Sequence, residues 1–143
     1  MSGARDLEAI AAQHLAAMNR HDAGAVVALY AEDGRWAEPP GTSELWGNGL
    51  LRQHLGLLFR AFPDLAIVRL RSLLSTDAIV VEWRAEGTHR GAYLGVRATG
   101  RRLDVHGASI LDVRDGKVQL SHHYCDSGAV LRQLNLLPGG EPL

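Results

Sequence analysis

The spacing of the hydrophobic positions changes along the chain from a helical to a strand-like pattern. Near the N-terminus, apolar side chains recur three and four residues apart, which predicts an amphipathic helix with one core-facing stripe: Leu7, Ile10, Ala11, His14, Leu15 and Met18. Asp22 can cap a second helix over Ala23 to Tyr30. Asn48 can cap a third helix, which runs to about Phe62 before Pro63 ends it.

The region between the second and third helices predicts a short strand followed by a loop. The strand is expected over Arg35 to Glu38, and the run Pro39 to Ser43 cannot continue a strand ladder. After Asp64 the pattern alternates, and it predicts four strands and a last helix: Leu65–Leu73, Ala78–His89, Leu103–Val113, Val118–Asp126 and Ser127–Leu136. Helices followed by antiparallel strands indicate an α+β fold, with helices covering one face of a curved sheet.

The length of 143 residues predicts a single domain over residues 1–143. Its core is expected from about Leu7 to Pro138, and the Gly-rich tail after Pro138 is expected to be frayed. A domain of this size can bury enough surface to leave room for a cavity within its core.

The last two strands carry the most informative chemistry. Asp115 and Gly116 form the dipeptide of a two-residue hairpin loop, so the strands on either side should pair antiparallel. Regular pairing then sets Val113 opposite Val118, and it continues in the same register with Ser109 opposite His122, Gly107 opposite Tyr124 and Val105 opposite Asp126. This register predicts that His122, Tyr124 and Asp126 share the inward face, whereas Ser121, His123 and Cys125 face outward.

Asp126 at the end of the last strand is the predicted general acid and base. A carboxylate in an apolar cavity loses hydration and becomes a stronger base, which suits removal of a proton next to a carbonyl. His122 and Tyr124 are predicted to hold the developing oxyanion. The residue-based alternative is that Asp126 caps the last helix and that His122 and Tyr124 form a hydrogen-bonded pair in the core.

Other residues are predicted to line the same cavity and bind the substrate. Alternation along Ala78 to His89 places Trp83 and His89 on the apolar face, and Ser109 faces inward from the next strand. Trp36 and Trp46 flank the Pro-rich loop, and His54 lies on the third helix at the level of its apolar residues. Each has a structural alternative as a packed or hydrogen-bonded core residue.

Composition narrows the function classes. The net charge is −1 and the basic residues are scattered, so nucleic acid is not an expected partner. No uncharged apolar run approaches the roughly 20 residues of a membrane span, and the N-terminus lacks a secretory signal, so we expect a cytoplasmic protein. Lys117 lies in the hairpin turn, where it cannot support Schiff-base chemistry, and adjacent His122 and His123 cannot share a metal. No metal is expected.

An ordered set of short motifs is similar to those of one family. They are Asn19-Arg20-His21-Asp22, Phe62-Pro63-Asp64-Leu65, Gly87-Thr88-His89-Arg90-Gly91, Thr99-Gly100-Arg101-Arg102, Asp115-Gly116-Lys117 and the run from Tyr124 through Asp126 to Pro138. Together they resemble the SnoaL-like polyketide cyclases of the nuclear transport factor 2-like superfamily.

This resemblance implies a cone-shaped curved antiparallel sheet around an apolar pocket, closed by N-terminal helices, and a homodimer. It also implies cofactor-independent aldol-type ring closure of a polyketide-like substrate, with Asp126 as acid and base and His89 as a pocket residue. The leading hypothesis is therefore a cyclase or isomerase acting on a bulky hydrophobic carbonyl compound. The alternatives are a non-catalytic small-molecule binding protein of the same fold and an epoxide or ester hydrolase that uses Asp-activated water.

Overall fold

The computed structural model describes residues 3–38 and 44–136. The predicted loop Pro39 to Ser43 and the tail after Pro138 lie outside the described residues. The elements in chain order are α1 Ala4–Asn19, α2 Ala23–Val27, β1 Tyr30–Ala37, β2 Glu44–Trp46, α3 Asn48–Ala61, β3 Ala66–Leu74, β4 Ala78–Thr88, β5 Arg102–Arg114, β6 Lys117–Cys125 and α4 Ser127–Gln133.

The helices form where the periodicity predicts them, with three corrections at their ends. The last helix, α4, ends at Gln133 and not at Leu136. Asp22 caps α2 by accepting a hydrogen bond from the Ala25 N–H at 3.0 Å, but the helix ends at Val27. The prediction that it reaches Tyr30 was wrong, because the Leu29 carbonyl accepts a hydrogen bond from Val118 and the chain enters the sheet there. Asn48 is the first helical residue of α3 and not its cap.

The six strands form one curved sheet in the order β2-β1-β6-β5-β4-β3. All neighbouring pairs are antiparallel except β1 and β6, which run parallel. The helices pack against the concave side, where a continuous core forms from both layers. Members of this core include Leu7, Val26, Leu51, Leu55, Ile79, Leu111 and Val118. This is the α+β architecture that the sequence predicts, with three differences. The strand β1 begins at Tyr30 and not at Arg35, β2 was not predicted, and β1 pairs with β6 in parallel.

The inward faces of β4 and β5 are those predicted from alternation. Ile79, Val81 and Ala85 are buried on β4, and Val105, Ser109 and Leu111 are buried on β5. These positions alternate strictly with more exposed ones, as expected for strands with one face in the core.

The predicted register of the last hairpin was wrong beyond its first pairs. Val113 lies opposite Val118 as expected, but the next pair is Asp112 with Leu120, so Gln119 is an extra residue in β6. Such a β-bulge shifts all later pairings by one and exchanges the two faces of the strand. Ser109 therefore pairs with His123 and not with His122.

No helix among residues 3–38 and 44–136 is long and apolar enough to cross a membrane.

Candidate functional site

The concave side of the sheet and the helices above it enclose a cavity of about 490 Å³. This volume lies in the range of roughly 300–1,000 Å³ that is typical of small-molecule sites. Its wall is mainly apolar, with contributions from Leu58, Phe62, Val81, Ala85, Leu103 and Leu111. A few polar or amphipathic side chains interrupt this wall: His14, Trp36, Glu38, Trp83, Ser109 and His123. Exposed Leu94 and Tyr124 also border the cavity, so we place them at its rim.

His123 occupies the position in the cavity wall that the sequence assigned to His122. Its ring stacks on Trp36 with centroids 3.7 Å apart. Both ring nitrogens are engaged, because Nδ1 lies 2.7 Å from Ser109 Oγ and Nε2 lies 2.8 Å from Ser121 Oγ. Ser121 in turn contacts the Tyr30 hydroxyl at 2.8 Å. The strands β5 and β6 thus hold the His123 imidazole between two serine hydroxyls, and β1 supports the second serine through Tyr30.

Burial keeps the histidines of this network neutral. Removal from water, together with the nearby His14, lowers the pKa of His123 to about 3. Burial likewise lowers the pKa of His14 to about 4. Burial raises the pKa of Tyr30 well above its ordinary value, so the phenol keeps its proton. At neutral pH the network is a set of uncharged groups that can each donate and accept.

Glu38 is a carboxylate at the solvent-accessible edge of the cavity, where its side chain is 45% exposed. Its Oε1 accepts hydrogen bonds from Trp36 Nε1 at 2.8 Å and from His54 Nε2 at 2.9 Å. Burial raises the pKa of Glu38, but the hydrogen bond and charge of His54 and the Trp36 N–H outweigh this effect and hold the pKa below its ordinary value. Glu38 is therefore ionised at neutral pH and held by two donors at the cavity.

Trp83 on β4 and Ser109 on β5 form a second polar group in the part of the cavity wall that the sheet contributes. Trp83 Nε1 donates to Ser109 Oγ at 2.9 Å, and both residues line the cavity. The indole lies over Gly107, its partner across the strands, where a Cβ atom would overlap the ring. The absence of a side chain at Gly107 therefore sets the position of Trp83.

Tyr93 adds a further hydroxyl to the cavity lining. Its ring packs edge-on against Phe62, with centroids 5.3 Å apart. Burial, followed by the charge of Glu38, raises its pKa to about 12, so the group is a hydrogen-bond donor at neutral pH.

The structure does not bring the three predicted catalytic residues together. Asp126 caps α4 by accepting from the Ala129 N–H at 3.0 Å, and its side chain is 66% exposed, so its predicted inward orientation was wrong. His122 lies on the opposite face of β6 from His123, and its ring stacks on Tyr124, whose exposed side chain lies at the cavity rim. The cause is the bulge at Gln119, which also turns Cys125 towards the cavity.

The predicted substrate-binding residues divide into two groups. Trp36, Trp83 and Ser109 line the cavity, and His54 supports it through Glu38. Trp46 does not line the cavity. It is 56% exposed, and the Arg35 guanidinium lies 4.6 Å from its ring centroid.

His89 is fully buried but does not line the cavity. Its Nδ1 accepts the Thr99 N–H at 3.2 Å, and its backbone pairs with Gly100 and Arg101. These bonds fix the segment that follows β4, so the structure gives His89 a local structural role. Within residues 3–38 and 44–136, no group of three or more potential metal-ligating His, Cys, Asp or Glu side chains is found.

Comparison with known proteins identifies the family. The model of the SnoaL-like polyketide cyclases matches residues 8–134. The chain belongs to the SnoaL-like polyketide cyclase family. No curated protein matches the sequence.

Solved structures share the fold of this SnoaL-like chain. A candidate SnoaL-like polyketide cyclase from Jannaschia sp. CCS1 is 20% identical with a TM-score of 0.85, over 94% of each chain. TsrD from Streptomyces laurentii is 22% identical with a TM-score of 0.85, over 96% of this chain and all of the other. IdmH of Streptomyces antibioticus, a candidate polyketide cyclase, is 22% identical with a TM-score of 0.75. The match covers 89% of this chain and 96% of IdmH.

Four side chains that line the cavity were not expected there from the sequence: Glu38, Tyr93, His123 and Cys125. Glu38 was placed in a strand with no role, although an acidic residue two positions after Trp36 lies on the same face of that strand. This spacing is the signal that could have found it. His123 had no comparable signal, because the bulge at Gln119 decides its orientation.

Proposed function

We propose that this chain is a cofactor-independent cyclase or isomerase that acts on a bulky, mainly apolar carbonyl compound. The observation that carries the proposal is an ionised carboxylate, Glu38, in the wall of an apolar cavity that also presents the uncharged hydroxyl groups of Ser109 and Tyr93. Family membership supports the reaction class, and the cavity supports the apolar substrate.

In the proposed mechanism, Glu38 replaces Asp126 as general base. The Glu38 carboxylate removes a proton from the carbon next to the substrate carbonyl, and the electron pair moves onto the carbonyl oxygen. Ser109 or Tyr93 stabilises this enolate by donating a hydrogen bond. The enolate carbon then attacks a second carbonyl within the same molecule, and the resulting alkoxide takes the proton back from Glu38. For an isomerisation, the proton returns to a different carbon.

Two neighbours orient the base. Trp36 and His54 donate to the same oxygen of Glu38, which fixes the rotation of the carboxylate. Because His54 is absent from the cavity lining, we assign it a positioning role.

The proposal is tested by hydrogen exchange, which does not require the natural substrate. β-Tetralone has acidic hydrogens beside its ketone, and their replacement by deuterium in D₂O is followed by proton NMR. The protein should accelerate the exchange, and Glu38→Gln should lower the acceleration by at least about a hundredfold. Glutamine oxygen can still accept from Trp36, so the fold should be retained.

Asp126→Asn is the matched control, because asparagine preserves the helix cap. It should exchange at the wild-type rate. Loss of exchange in Asp126→Asn with retention in Glu38→Gln would return the base to Asp126. Binding of the ketone with no acceleration by the wild type would favour the non-catalytic binding protein.

We also propose a homodimer formed through the outer face of the sheet. Ala108 and Ile110 lie on this face, and the bulge adds His122 to it in place of Cys125. Light scattering at micromolar concentration should give twice the mass of one chain, and a monomer would contradict the proposal. The cytoplasmic location stays a prediction.

A further inference from the structure

We infer that Ser109 binds the oxygen of the substrate and that it can either donate or accept this hydrogen bond, because the chain of hydrogen bonds behind it can run in both directions. The inference rests on the proposed function for the choice of site. It deepens that function by predicting that the site holds both a keto oxygen and the hydroxyl of its enol.

The chain is continuous from the cavity wall on β5 to helix α1. Ser109 Oγ lies 2.7 Å from His123 Nδ1, and His123 Nε2 lies 2.8 Å from Ser121 Oγ. Ser121 Oγ lies 2.8 Å from the Tyr30 hydroxyl, which lies 3.0 Å from His14 Nε2. Every group in the chain is uncharged at neutral pH and, apart from the two ends, uses both of its hydrogen-bonding functions within the chain.

In the first direction, each group of the chain donates its hydrogen bond to the next group on the cavity side. Tyr30 donates to Ser121, Ser121 donates to His123 Nε2, and the Nδ1–H of His123 donates to Ser109 Oγ. Trp83 Nε1–H also donates to Ser109 Oγ. Ser109 therefore receives two hydrogen bonds, and its own O–H is free to donate to a ketone or enolate oxygen in the cavity.

In the second direction, every proton in the chain points away from the cavity. Ser109 donates to His123 Nδ1, the Nε2–H of His123 donates to Ser121, Ser121 donates to Tyr30, and Tyr30 donates to His14. Ser109 then keeps one lone pair for a donor in the cavity, such as the O–H of an enol or phenol. Both directions satisfy every link, so the ligand decides which one is populated.

This reversibility matters for a reaction that passes through an enol. A ketone oxygen requires a donor, whereas an enol hydroxyl requires an acceptor. A fixed donor such as a backbone N–H serves only one of them. Ser109 with the neutral His123 behind it serves both without a change of charge in the cavity.

The test compares three probes of one ring system: methyl naphthyl ketone as acceptor, naphthol as donor and naphthalene as apolar control. Dissociation constants are measured by isothermal titration calorimetry at neutral pH. The wild type should bind the ketone and naphthol each about tenfold more tightly than naphthalene. Ser109→Ala should remove both advantages.

Tyr30→Phe separates the two directions. In the second direction Ser121, which is fully buried, must donate to the Tyr30 oxygen, and phenylalanine leaves that proton without an acceptor. In the first direction Ser121 only loses a donor, which costs less. The variant should therefore weaken naphthol about tenfold relative to the ketone, with naphthalene unchanged.

Ser121→Ala is the second variant, for use if Tyr30→Phe does not fold. It leaves the Nε2–H of His123 without an acceptor and should produce the same split. Equal weakening of all three probes would show a packing role and overturn the inference, as would unchanged ketone and naphthol binding in Ser109→Ala. Failure of the exchange reaction would contradict the proposed function but would leave these binding results standing.

Discussion

Substitution of Asp126 distinguishes a helix cap from a catalytic acid. In Asp126→Ala the helix α4 loses one side-chain acceptor, the partner of the Ala129 N–H at 3.0 Å. Loss of such a cap costs about 1 kcal/mol of the free energy of unfolding. The nearby Arg132 lies 3.8 Å from the carboxylate, but this pair is exposed and adds little. The melting temperature should fall by about 3 °C for a domain of this size.

Two assays on the same variants give the answer. Urea denaturation followed by circular dichroism measures the free energy of unfolding, and β-tetralone exchange measures the chemistry. Asp126→Ala should lose about 1 kcal/mol of stability, and Asp126→Asn should lose at most a few tenths. Both should exchange at the wild-type rate per folded molecule.

The reasoning would be refuted by one combination of results. If Asp126→Asn has wild-type stability but no exchange activity, the carboxylate is used in the reaction and not only in the cap. The assignment of Glu38 as base would then be abandoned.

The neutral histidines and the close approach at Gly107 give two further predictions. Because the pKa values of His14 and His123, about 4 and about 3, lie below their ordinary value of 6.5, the unfolded chain binds more protons. The free energy of unfolding should therefore fall as the pH drops from about 6.5 towards 4, by up to about 1.4 kcal/mol per pH unit for each histidine, and His14→Gln should reduce this slope in urea titrations. Gly107→Ala should displace Trp83, cost at least about 1–3 kcal/mol in urea denaturation and change the tryptophan fluorescence, because its Cβ would overlap both the indole and the backbone oxygen of Tyr124. Gly49→Ala is its control: apart from its chain neighbours and the backbone of α3, no described atom lies within 4 Å of the added Cβ. This site in the first turn of the helix should therefore be unchanged or gain up to about 1 kcal/mol, and a loss there would contradict the reasoning.

The sequence predicts most of the fold because most of its elements follow local rules. Alternation in β4 and β5 correctly placed Trp83 and Ser109 on the concave face, since a strand with one buried side has few other solutions. Asp22 and Asp126 both cap helices, as their positions before apolar periodic segments allow. The sequence left two roles open for Asp126, general acid and base or helix cap, and the observed geometry is that of a helix cap.

The site was less predictable because it depends on contacts between distant segments. The extra residue Gln119 donates through its side chain to the carbonyls of Arg114 and Lys117, at 3.1 and 3.3 Å. Nothing in the local hydrophobic pattern distinguishes this bulge from regular pairing. The parallel contact of β1 with β6, which brings Trp36 opposite Ser121, joins residues far apart in the chain.

Because of the bulge at Gln119, deletion of a single codon would change which side chains of β6 face the cavity. Without that residue, the hairpin would regain regular pairing, and the second half of β6 would rotate by one position. His122 would then replace His123 in the cavity wall, and Tyr124 would move from the rim to the position of Cys125, while the rest of the scaffold stayed the same. A protein lineage with this fold could thus acquire a different set of reacting groups through one small insertion or loss, without any substitution in the strand itself.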